Sequence, residues 1–219
     1  MIVGSRKMFL IAIGFFVAIM IINFPFPHAQ PFAEATLSNL KISSRTSSGI
    51  HILGLVSVAL LFIGIFFLVR SLEKYHVRMV FLAFIVCTLL PHGLADFYQH
   101  TLARGIYAVD YDKEFSDCTF LMVDDDTVSG SCRLLFENLS NHTVNFDLRF
   151  HGEVPFVEDG NFFPLLNKDA PYKVSLEGNE RRTVNLHMEF DASHLDHFSI
   201  GTASPINIQI AQFNSFRNL

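Results

Sequence analysis

Ile50–Val69 is an apolar run of twenty residues in which only His51 and Ser57 are polar. A helix crossing the hydrocarbon core of a bilayer needs about 20 mostly apolar residues, so this run meets the requirement outright. Two shorter runs flank it. Met8–Ile22, extended through Asn23 to Pro27, follows Arg6-Lys7, and Met79–Ala95 is interrupted by Pro91 and His92. One such run could be the core helix of a soluble domain. Three within about a hundred residues argue instead for a membrane anchor, with two to three transmembrane helices at about 8–27, 50–70 and 79–104.

Charge divides the chain at the same place. Residues 1–104 carry eight Lys/Arg and three acids, whereas residues 105–219 carry eight Lys/Arg and eighteen Asp/Glu. An acidic domain repels nucleic-acid phosphate and anionic lipid, which argues against either as a partner of the C-terminal half. The expected organisation is an anchor over residues 1–105 and one folded domain over 106–219, a usual size for an independent unit.

Basic residues in short loops set the orientation of membrane helices. Arg6 and Lys7 precede the first run, and Arg70, Lys74 and Arg78 fill the connection between the second and third. The loop from 28 to 49 offers only Lys41 and Arg45. This bias places the N-terminus and the Ser71–Arg78 turn in the cytoplasm, and everything beyond residue 105 outside it. A cleaved signal peptide is the alternative for the first run, with Ala33-Glu34-Ala35 as an A-x-A site, and it leaves the domain on the same side. The 28–49 loop, with its Ser43–Gly49 stretch, reads as a solvated connection in which Ser47 or Ser48 caps the second helix. The third helix is expected to continue past the membrane as a rigid stalk and stop at Gly105. As an alternative to working through the domain alone, the anchor helices could pair with a larger membrane subunit, since Gly54 and Gly64 permit close approach.

Strict alternation dominates the C-terminal half. Val144, Phe146, Leu148 and Phe150 alternate with polar residues, as do Val184, Leu186, Met188 and Phe190; Ile206, Ile208 and Ile210; and Tyr172, Val174 and Leu176. Such strands have one buried and one wet face, as antiparallel sheets do. Polar connectors at 138–142, 158–161 and 177–180 separate them. Six to eight strands at this spacing predict a β-sandwich, so the whole chain is expected to be a membrane α plus all-β protein.

The segments 132–141, Cys-Arg-Leu-Leu-Phe-Glu-Asn-Leu-Ser-Asn, and 174–186, Val-Ser-Leu-Glu-Gly-Asn-Glu-Arg-Arg-Thr-Val-Asn-Leu, carry a resemblance. Their strand–turn–strand rhythm resembles that of immunoglobulin-like and fibronectin type III-like domains on bacterial envelope proteins. The resemblance covers about ninety residues and implies a sandwich used for spacing or protein contact rather than catalysis. The buried Trp and wide cysteine pair of antibody domains are missing.

Cys118 and Cys132 flank Asp124-Asp125-Asp126 in two apolar strands. A hairpin register placing them opposite each other allows a disulfide, expected outside the cytoplasm, that closes a loop worth roughly 3 kcal/mol of chain entropy. Two buried thiols are the alternative. Cys87 reads as a packing residue.

Candidate chemistry is sparse. His92, Asp96 and His100 recur every four residues along one face of the third helix, where they could form a proton relay or ligate Zn²⁺, or simply pack at the interface. The Asp triplet reads as a solvated turn rather than a Ca²⁺ site, because consecutive side chains alternate. Asn138-Leu-Ser140 and Asn141-His-Thr143 match the glycosylation acceptor pattern. Phe162 and Phe163, in the 156–164 loop, are candidates for a binding loop. No nucleophile, phosphate-loop, dinucleotide or zinc-protease motif occurs, and no cofactor is expected. The sequence thus points to a multi-pass, membrane-anchored, extracytoplasmic binding or spacer protein. It would be non-enzymatic, with a protein partner in the envelope. The alternative is a membrane sensor using His92, Asp96 and His100.

Overall fold

The computed structural model describes residues 3–28, 31–39, 51–124, 127–151, 165–191 and 201–219. The chain forms two compact units, Met1–Phe97 and Tyr98–Leu219. Ser47, Ser48, Lys41, Arg45 and the 158–161 connector lie outside the described residues.

The first unit is helical: α1 (Arg6–Ile22), α2 (Phe32–Asn39), α3 (Ile52–Ser71) and α4 (His76–Thr101), the last running on into the second unit. By length and composition, α3 and α4 are long and apolar enough to cross a membrane. α1 and α3 are antiparallel neighbours. The amides of Gly4 and Ser5 donate to Ser71 O at one end, and Asn23 Nδ2 donates to Ser57 Oγ at the other. Between these ends Ala12, Phe16 and Ile19 bury against Leu68 and Leu72. Gly64 permits this closeness, since a Cβ there would lie 3.0 Å from Phe16 Cε1. Gly54, by contrast, faces only the Cβ of His51. α4 adds Met79, Val80, Ala83 and Cys87 to the same cluster, one stripe at helical spacing.

Several expected boundaries move. α1 ends at Ile22, where the Asn23 side chain turns back to Ile19 O, five residues short of the expected end. Part of the expected loop, Phe32–Asn39, is helical and contains Ala33-Glu34-Ala35. His51, rather than Ser47 or Ser48, is the N-cap of α3. α4 passes through Pro91 without a break and ends at Thr101, where the Leu102 and Ala103 amides both donate to Tyr98 O. Gly105 is therefore not the residue that stops this helix. Its φ of +59° starts a 3₁₀ turn, Gly105–Ala108, and a Cβ there would collide with the Gln212 side chain.

Among its described residues the second unit holds eight strands: β1 (Val109–Met122), β2 (Thr127–Asn138), β3 (Val144–Phe150), β4 (Tyr172–Leu176), β5 (Arg181–Asp191), β6 (Gly201–Ala203), β7 (Ile208–Gln212) and β8 (Ser215–Asn218). They form two four-stranded antiparallel sheets, ordered β5-β2-β1-β6 and β4-β3-β7-β8, in a β-sandwich-like fold. The alternation read from the sequence gives the faces. Val144, Phe146, Leu148 and Phe150 are buried, and so are Val174, Leu176, Ile208 and Ile210. Phe136 of one sheet meets Phe146 of the other edge-on, ring centroids 5.5 Å apart.

β1 departs from simple alternation. Val109 and Tyr111 point inward, and so do Ser116, Cys118 and Phe120, which reverses the parity. A bulge between Asp112 and Asp117 makes the switch, because those two residues pair with Leu135 and Arg133. Buried Ser116 repairs the ladder there: its hydroxyl donates to Asp112 O and accepts from the Leu135 amide.

Candidate functional site

Cys118 and Cys132 are direct cross-strand partners and form a disulfide, with both residues fully buried beneath the sheet. The hairpin turn between them runs through Asp124; Asp125 and Asp126 lie outside the described residues. The bond ties the centre of β1 to the centre of β2 next to Phe120 and Leu134. It is a packing element with no exposed sulfur.

His92, Asp96 and His100 all lie on α4 with exposed side chains. His92 Nδ1 bonds the Thr88 carbonyl one turn back, at 3.1 Å. No group of three or more His, Cys, Asp or Glu among the described residues is arranged to hold a metal ion. The spacing visible in the sequence puts the three on one face without converging them. Phe162 and Phe163 lie outside the described residues.

Four buried or partly buried polar side chains, Asn138, Arg217, Tyr111 and Lys113, were not singled out from the sequence for their actual roles. Asn138, fully buried, is a hub: Nδ2 donates to His142 O and Glu177 O, while Oδ1 accepts from the Ser140 amide and hydroxyl. The acceptor pattern at Asn138 therefore coincides with a structural role, because Nδ2, the atom a glycan would occupy, is committed inside the fold. Asn141 is exposed and accepts from Asn179 Nδ2. Gly178 must stay a glycine, since a Cβ would run into the Asn141 backbone at 2.5 Å.

Arg217 occupies an inward position of β8 and donates through Nη1 to Ile106 O and Val109 O, both at 2.7 Å. Burial lowers this guanidinium to about 10, with Asp110 and Tyr107 pulling the other way. The bonds pin the 3₁₀ turn to the C-terminal strand. Tyr111 donates to Ile206 O across the sandwich edge, and burial pushes its phenol up to about 12. Lys113 Nζ reaches Asn207 Oδ1, and burial lowers its ammonium. In each case a polar group is spent on backbone or structural contact. The sequence signal was a charged or polar residue at an inward position of a strand, visible only once strand parity is known.

What remains open to solvent is surface. A cleft of about 370 Å³ lies between the end of α4 and the 139–144 turn, within the second unit, lined by His100, Arg104, Asn141 and His142 among others. Phe213, at the β7–β8 turn, is 99% exposed, and Phe115 on the bulge is 69% exposed. The sheet edges are the other open feature. Among the described residues β6, β4 and β8 are edge strands of three, five and four residues, whereas β5, the remaining edge strand, has eleven.

No protein-family model matches this chain, and no curated protein or solved structure resembles it at a significant level.

Proposed function

We propose that this protein is a membrane-anchored, extracytoplasmic domain that works by protein contact or as a spacer, without catalysis. One observation carries the reading: outside the stripes that pack against each other and α1, α3 and α4 expose many large apolar side chains, among them Leu55, Phe62, Phe66, Phe81, Phe84 and Leu89. Water does not tolerate apolar surface on that scale, and lipid does. Arg70 in the last turn of α3, Lys74 in the connection and Arg78 in the first turn of α4 favour a cytoplasmic turn and a multi-pass arrangement. The Cys118–Cys132 disulfide is in keeping with an oxidising compartment for the sandwich.

An immunoglobulin-like or fibronectin type III-like sandwich is the finer reading of the domain. β1, β2 and β5 share one sheet in the manner of strands A, B and E, while β3, β7 and β8 share the other in the manner of C, F and G. The described polar groups of the interior serve the fold, which leaves loops and sheet edges as the working surfaces.

Labelling in intact cells tests the sidedness. Cysteine substitutions at exposed Lys173 and at Lys74 are treated with a membrane-impermeant maleimide. Lys173→Cys should react at once, and Lys74→Cys only after the membrane is opened. The opposite pattern, or protection of both, overturns the reading.

A further inference from the structure

We infer that the β5 edge is a homodimer interface, in which two copies of the chain pair antiparallel through β5 about a two-fold axis at Asn185. This depends on the sandwich alone and not on where the helices lie.

Four arguments converge. The first is length. Natural sheets keep open edges short, bulged or broken by proline, because an unpaired row of N–H and C=O groups invites another strand. Among the described residues β5 pairs only with β2, over eleven unbroken positions that contain neither proline nor glycine. The other three edges are less than half as long.

The second is burial. Met188 and Phe190 are buried, but Val184 and Leu186, on the same inward face, are only partly covered although they pack on the core. A sheet continued past β5 would place Leu186 of the partner opposite Val184 and close that gap.

The third is charge. The outward face reads Arg181, Thr183, Asn185, His187 and Glu189, all exposed. It is basic at its start and acidic at its end. An antiparallel copy centred on Asn185 sets Arg181 against Glu189 of the partner, twice, and pairs Asn185 with itself. Parallel pairing would set like against like. Arg181 already approaches Asp112 at 3.4 Å and Glu137 at 3.6 Å, but long contacts of exposed groups hold little, and a third carboxylate can join.

The fourth is face matching. Directly opposite residues of an antiparallel pair share a face, so this register keeps inward residues beside inward residues and yields one continuous eight-stranded sheet.

The test uses the full chain in mild detergent, with Cys87→Ala to remove the free thiol. Opposed Cα atoms in an antiparallel pair lie about 4.5–5.5 Å apart, within disulfide reach. Asn185→Cys should therefore give a disulfide-linked dimer under gentle oxidation, while Lys173→Cys on the β4 edge should not. Detergent-corrected light scattering should show a dimer that Glu189→Arg weakens about tenfold and that the double swap Arg181→Glu/Glu189→Arg restores. The charge pair keeps the test decisive should Asn185→Cys misfold. A monomer at micromolar concentration overturns the inference. So does a dimer that Asn185→Cys fails to trap and the charge swap leaves unchanged, because its contact then lies elsewhere.

Discussion

Replacing Asn138 by alanine should destabilise the sandwich by about 3 kcal/mol. The figure follows from the bonds its carboxamide makes. Nδ2 holds His142 O and Glu177 O at 2.8 Å each, and Oδ1 holds the Ser140 amide at 3.1 Å. Each such bond contributes roughly 1 kcal/mol net, and alanine leaves all three backbone partners without that group. Against a typical domain stability of about 5–15 kcal/mol, this is a large share. Asn138→Asp should be worse at neutral pH, since a carboxylate cannot donate to either carbonyl and would face both from inside the fold. Asn141→Ala, three residues on, removes one exposed bond and should cost no more than about 0.5 kcal/mol.

The chain has no Trp, so tryptophan fluorescence offers no signal, and urea unfolding with pulse proteolysis of the sandwich in the full chain is the suitable assay. A loss of about 3 kcal/mol moves the urea midpoint by roughly 2 M for a unit of this size. An Asn138→Ala midpoint within about 0.5 M of wild type, or one equal to that of Asn141→Ala, would refute the hub argument.

Three further outcomes are expected. Replacing Cys118 and Cys132 together by alanine should lower stability by roughly 3 kcal/mol, checked by the same titration, and reducing agent should then have no further effect on the variant. Gly64→Leu should separate α1 from α3, because Phe16 stands 3.0 Å from the first added carbon, whereas Gly64→Ala should be milder; the readout is loss of disulfide trapping between Asn23→Cys and Ser57→Cys. Tyr111 carries an alkaline signature. Its folded value of about 12 lies above the ordinary 10, so the folded state keeps a proton that the unfolded state releases, and stability is lost as pH rises from 10 toward 12. Between pH 9 and 11 wild type should lose about 1.3 kcal/mol that Tyr111→Phe does not, and parallel slopes would contradict this.

Local periodicity carried most of the second unit. β3, β4 and β5 follow the alternation of their inward residues closely, and the Cys118–Cys132 register follows from two short strands around an acidic turn. Three things were not legible. β1 extends back to Val109, but its alternation changes parity at the bulge, so no single period of two covers it. β6 is three residues long, too short to carry a pattern. Helix ends were displaced because they depend on partners distant in sequence: Asn23 finds Ser57, and Gly105 is needed beside Gln212 rather than at a helix stop.

The candidate site shows the same division more sharply. A four-residue repeat places His92, Asp96 and His100 on one helical face, yet convergence on an ion requires groups from a second element, which sequence spacing cannot supply. Asn138 shows the converse. Its acceptor pattern is a match over three consecutive residues, but its role is set by Glu177, thirty-nine positions away on the far side of the β3–β4 hairpin. The β5 edge is the feature for which both levels are needed. Its charge gradient can be read directly from Arg181 to Glu189, but that gradient acquires meaning only once the sheet order puts β5 outermost. A basic-to-acidic strand in the middle of a sheet would be constrained by two neighbours. At an open edge the same strand is complementary to its own antiparallel copy, which makes self-association the arrangement that satisfies backbone, charge and the half-covered Val184 and Leu186 together.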